Sequence, residues 1–182
     1  MATALARIAV GVVVERRKAA SPWIDIVWRP VGVLAGAPDA VPWTMLEAGD
    51  ERARFYAGAA EIALYRTETG HYRDNLNSGR PSLWVSLRPT GVEPPFEIVA
   101  VTADPAEGES FTQVGDDLVE AVPMPPAVCA IVEAFVAEHH VEEPFVKRQR
   151  QKHHRAEEHK FGQEPIAVLR QRKAQPGDSH DE

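Results

Sequence analysis

The sequence predicts an α+β, β-rich fold: an antiparallel meander or barrel-like sheet with one C-terminal helix and a disordered polar tail. Three observations carry that expectation. Short runs of alternating or β-branched apolar residues recur between residues 5 and 122, separated by Gly, Pro, Asn and Asp. Fifteen prolines in 182 residues exceed the average usage of about 5% and favour short elements over long helices. Helical spacing of apolar residues is sustained in one place, after Pro125-Pro126.

Taken in order, Ile8, Val10, Val12 and Val14 alternate with Ala9, Gly11 and Val13, which predicts a strand covered on both faces. A turn-rich stretch at 15–22 leads into WIDIVWRPVGVLAG (23–36), a second strand pairing antiparallel with the first. Pro30 cannot donate to a ladder, so it marks a bend or an edge. Trp43–Leu46 is a weaker strand candidate. AEIALYR (60–66), His71–Leu76 and Ser82–Arg88 read as a three-stranded meander, with turns at TETG (67–70) and NSGRP (77–81). Leu83, Val85 and Leu87 take its core face. Phe96–Thr102 is a further strand, rich in β-branched residues.

Asp104-Pro105-Ala106-Glu107 combines an N-cap, a first-turn proline and an acidic third residue, which predicts a short helix toward Val114, stopped by Gly115. Leu118–Val122 reads as a strand. The final helix runs to about His140, with Val128, Ile131, Val132, Phe135 and Val136 as its apolar stripe. The expected organisation is one globular domain over 5–140 and a polar, largely disordered tail over 141–182.

Charge divides the same way. Residues 1–140 hold 11 Lys and Arg against 19 Asp and Glu, whereas residues 141–182 hold 9 against 8. The acidic body argues against nucleic acid as a partner. The segment KRQRQKHHR (147–155), with Lys147, Arg148, Arg150 and Lys152, is the candidate dock for an acidic protein partner. No aromatic is interleaved there for base stacking. Cys129 is the one cysteine, which fits a reducing cytoplasmic setting. The run IAVGVVV (8–14) is too short to span a bilayer, and no cleavage site follows it.

Catalytic motifs are sparse. No zinc-type Cys or His spacing appears, and His139, His140, His153, His154 and His159 read as a helix end and a solvated tail. No cofactor is expected. Leu34-Ala35-Gly36 follows a strand, as the glycine loop of molybdopterin nucleotidyltransferases does. Here, however, Ala37-Pro38-Asp39 replaces the glycines whose amides would cradle phosphate. Cys129 falls in an apolar helix stripe, and no Gly-x-Ser-x-Gly elbow occurs. What remains is HYRDNLNSGRPSLWVSLRP (71–89). There Tyr72, Arg73, Asn75, Arg80, Trp84 and Arg88 place hydrogen-bond donors beside aromatic surface, the best candidate binding face. The competing reading makes Asn77-Ser78-Gly79 a turn and packs Trp84 under the C-terminal helix.

The order of short motifs is also informative. Trp28-Arg29-Pro30-Val31, Tyr72 with Asn75-Leu76, Pro81-Ser82-Leu83-Trp84-Val85, Leu87-Arg88, Val122-Pro123-Met124-Pro125 and Phe145-Val146-Lys147-Arg148 follow one another across residues 5–150. This series resembles a family of uncharacterised proteobacterial proteins often encoded beside formate dehydrogenase genes and sometimes labelled molybdopterin-guanine dinucleotide biosynthesis proteins. The resemblance implies a non-catalytic accessory role in assembly or regulation of a molybdenum-dependent formate dehydrogenase. The alternative is a nucleotide- or pterin-processing enzyme of molybdenum cofactor biosynthesis.

Overall fold

The valine-rich N-terminal run forms the central strand of the larger sheet, because both of its faces are apolar and neither tolerates water. Strand β1 (Ala6–Lys18) lies between β2 (Ile26–Ala35) and β4 (Arg52–Leu64), and β3 (Thr44–Glu47) adds to the far edge of β4. The computed structural model describes residues 3–20, 23, 25–113 and 115–141. A second sheet has β5 (Ser82–Pro89) at its centre, flanked by β6 (Phe96–Thr102) and β7 (Leu118–Pro123). All five strand pairings are antiparallel. β2 packs beside β7 and β4 beside β6, so the two sheets meet around a shared core.

Three helices complete the domain: α1 (Thr69–Leu76), preceded by a 3-10 turn at Arg66–Glu68, α2 (Pro105–Phe111) and α3 (Pro126–His139). One core joins both sheets to α3: Val10, Val12 and Val14, Ile62 and Leu64, Leu83, Val85 and Leu87, with Val128, Val132 and Phe135. Burying such side chains contributes about 1.5–3 kcal/mol apiece, which makes this cluster the main stabilising element. Pro30 sits on the outermost strand of its sheet, opposite Val14, where the register slips by one residue. Its missing N–H thus falls at a bulge on an edge strand, as its chemistry requires.

Four expectations are corrected. His71–Leu76 is helix, not strand, so the three-stranded meander does not form, and β5 pairs instead with β6 and β7. Asp74, Asn75 and Asn77 disfavour strands, and Thr69, Tyr72 and Asn75 recur at helical spacing on the buried side. The TETG stretch is not a tight turn; it forms the 3-10 turn and the start of α1, whereas Gly79 does take a positive φ of 79°. Strand β4 begins at Arg52, eight residues before the expected 60–66 segment. Ile131 lies on the exposed side of α3, beyond the buried Val128, Val132 and Phe135. The tail from residue 142, with Lys147, Arg148, Arg150 and Lys152, lies outside the described residues.

Candidate functional site

Helix α1 is the element on which the candidate residues converge, and its short amphipathic face decides which of them are accessible. Tyr72 is buried; its hydroxyl accepts the Tyr65 N–H at 3.2 Å and its ring meets Phe135 edge-on at 6.2 Å. Burial pushes this phenol up to about 12, against the opposing pull of the Tyr65 amide, so it stays neutral. Asn75 is also buried. Its Nδ2 donates to the carbonyls of Ser82 and Ala103, both at 2.8 Å, while Oδ1 accepts the Ser82 N–H at 3.0 Å. One side chain therefore ties α1 to the start of β5 and to the β6–α2 junction.

The other members of the expected face separate. Trp84 packs under α2, not under the C-terminal helix: a Cβ built on Gly108 would lie 2.2 Å from Trp84 Cγ. Glycine is what lets α2 approach the indole. Arg88 forms a two-point pair with Asp117, with Nε–Oδ1 and Nη2–Oδ2 both 3.0 Å. Arg80 is exposed in the turn before β5. Arg73 Nη1 donates to His140 Nε2 at 2.8 Å. Since a guanidinium offers only donors, the His140 proton sits on Nδ1, 3.1 Å from Thr69 Oγ1. The residues at 72–88 are thus divided among the core, the α2 contact, separate polar pairs and, for Arg80, the exposed turn.

A different group comes together on the solvent side of α1. His71 Nδ1 lies 3.0 Å from Asp104 Oδ2 and 3.2 Å from Glu68 Oε2. Asp104 is the N-cap of α2; its Oδ1 accepts the Ala106 N–H at 2.8 Å and its own N–H donates to Thr102 Oγ1 at 3.1 Å. The cap leaves Oδ2 turned toward the imidazole, and the Asp104 side chain is only 7% exposed while His71 is half exposed. The Asp104 hydrogen bond holds His71 above its ordinary 6.5, against the lowering effect of burial, with the charges of Asp104, Glu68 and Asp74 adding to the rise. The donor atoms of Glu68, His71 and Asp104 all fall within 4.8 Å of one another.

Asp104 caps α2 as Asp104-Pro105 predicts, whereas the direction of its second oxygen depends on the fold around it. Glu68 and His71 stand three residues apart, which brings them together only on a helix. With 71–76 read as strand, that spacing carried no signal.

Charged residues line clefts among the described residues. One of about 840 Å³ is bordered by Arg17, Lys18, Asp50, Glu51 and Arg52. A smaller one of about 280 Å³ lies at the β2–β7 seam beside Glu15, Arg29, Arg54 and Glu120. Cys129 is half-buried, with its thiol raised mainly by burial, consistent with a packing role.

The described residues define an α+β domain of two antiparallel sheets with a shared core and a polar cluster where the starts of α1 and α2 meet. Residues 9–149 match the family described as "Protein of unknown function (DUF3305)", and the chain belongs to that family. Neither a curated protein nor a solved structure matches it. No helix among the described residues is long and apolar enough to cross a membrane.

Proposed function

We propose that the domain is a non-catalytic accessory protein that docks on a protein partner in the cytoplasm and serves assembly or regulation of a molybdenum-dependent formate dehydrogenase. The observation that carries the docking part is strand β3. It ends its sheet, all four of its residues are exposed, and Met45 and Leu46 are each 52% exposed beside the exposed Val41. Edge strands are usually shortened, charged or covered, because a bare edge accepts a further strand. An extended segment of a partner can add there through main-chain hydrogen bonds, with its side chains meeting Met45 and Leu46. The dehydrogenase is named by the resemblance of the motif series, and the basic segment 147–155 supplies positive charge for an acidic partner.

Affinity purification of the full chain from cells expressing the dehydrogenase tests this. The enzyme is expected in the eluate, reduced by Leu46→Lys, and its activity is expected to fall in cells lacking the protein. Normal enzyme activity without the protein, together with no co-purification, sinks the reading.

A further inference from the structure

We infer that Glu68, His71 and Asp104 form a binding site for one first-row divalent metal ion of the Zn²⁺ type. Two carboxylate oxygens from different elements converge on a single imidazole nitrogen, at 3.0 and 3.2 Å. Nδ1 makes its hydrogen bond to Asp104 Oδ2, and Glu68 Oε2 lies 3.2 Å from the same nitrogen in an ion pair without a hydrogen bond of its own to it. A cation held among the three atoms satisfies all of them at once.

The spacing is close to what this needs. Zinc binds His nitrogen and carboxylate oxygen at about 2.0–2.2 Å, so tetrahedral ligands of one ion stand about 3.3–3.6 Å apart. The separations of 3.0 and 3.2 Å fall up to a few tenths of an ångström short of that range, a gap the partly exposed His71 and Glu68 side chains can open. The site is also held in place. Asp104 is nine-tenths buried, and its Oδ1 is committed to the Ala106 amide, so Oδ2 is presented without freedom to turn away. Such outer-shell anchoring is what orients ligands in metal sites. Glu68 and His71 project from adjacent turns at the start of α1. With half of His71 exposed, the remaining coordination positions face solvent, open to water or to a partner's side chain.

One nitrogen with two carboxylates is a borderline donor set that favours Zn²⁺, Co²⁺ or Mn²⁺ over soft ions, and the single imidazole selects against Ca²⁺ and Mg²⁺. Binding through Nδ1 displaces its proton, so the apparent affinity must fall as the pH is lowered through the titration of His71.

Calorimetric titration of the chelator-treated full chain with Zn²⁺ alone tests the assignment. About one ion per chain is expected, more weakly at pH 6 than at pH 7.5. His71→Ala is expected to weaken binding at least tenfold, as is Asp104→Asn, which retains a good helix cap. Circular dichroism of both variants checks that the fold survives. A His153→Ala/His154→Ala/His159→Ala chain separates this site from the tail and is expected to bind as the parent does. Co²⁺ in place of Zn²⁺ should give visible absorption that His71→Ala removes. Absence of saturable binding overturns the proposal, as does binding that survives in folded His71→Ala or that vanishes with the tail histidines. Tighter binding of Mg²⁺ or Ca²⁺ than of Zn²⁺ overturns the metal class. None of these outcomes depends on the partner proposed for β3.

Discussion

Gly108 and His71 act at single positions, one through the space it leaves and one through its proton. A methyl group at Gly108 would overlap Trp84, with Cγ at 2.2 Å and Cδ1 at 2.5 Å. Gly108→Ala must push α2 off β5 or turn the indole from its rotamer, and overpacking of this kind costs about 1–3 kcal/mol. Denaturant unfolding is expected to show a loss in that range, shrinking sharply in a Trp84→Ala background because the pair is coupled. An undiminished penalty in that background would place the strain elsewhere. For His71, the fold favours the imidazolium, since its titration is raised above 6.5 chiefly by Asp104. Its contribution to stability is therefore complete below about pH 6.5 and is lost as the pH rises through the folded midpoint. The half-exposed ring is screened by solvent, so the stability change is small and the titration itself is the sharper measurement. Proton NMR with chelator present is expected to place the His71 midpoint above 6.5, and lower in Asp104→Asn.

Elements are held by register as well as by burial. Glu15 of β1 stands opposite Arg29 of β2 and Arg54 of β4, and Arg54 stands opposite Glu47 of β3. The result is a row of alternating charge across all four strands, with Glu15–Arg29 at 3.2 Å, Glu15–Arg54 at 3.4 Å and Arg54–Glu47 at 3.3 Å. Burial alone would raise the Glu15 carboxyl, but hydrogen bonds from the two arginines outweigh it and leave the group below its ordinary 4.5. The ionised form is thus favoured by the fold, so its contribution is present above about pH 4.5 and lost as the pH falls through the folded value. Glu15→Gln is expected to lower stability by about 1.5–3 kcal/mol near neutrality, the range for hydrogen bonds to charged groups. The same variant should show a shallower loss of stability on acidification than the parent. Equal acid sensitivity in both chains would show that the row contributes nothing through Glu15.

At the scale of the molecule, every residue of the described core lies between Ile8 and Phe135. Residues 142–182 are rich in charge and sparse in apolar spacing, so truncation after Val141 is expected to keep a cooperative thermal transition within a few degrees of the full chain. A noncooperative transition would show that residues beyond 141 complete the core.

Local chemistry alone was enough for much of the domain. A short β-branched apolar run identified β1, because a strand covered on both faces is apolar on both, and period-two alternation identified the core face of β5. Asp104-Pro105 located the start of α2, and Pro125-Pro126 that of α3, because caps and prolines act within one turn. The placement of Pro30 at an edge followed from its missing N–H. Tertiary structure decided what local rules leave open. Eight residues from Thr69 to Leu76 are too few and too polar for periodicity to choose helix over strand, and packing against α3 and α2, with the Asn75 hydrogen bonds to Ser82, made the choice. Once α1 is a helix, Tyr72 and Asn75 turn inward as a packing ring and a three-bond tether. On its other side, Glu68 and His71 meet an aspartate from 33 residues further on. A site assembled across that separation depends on where two helix starts are brought together, and only the folded core brings them there.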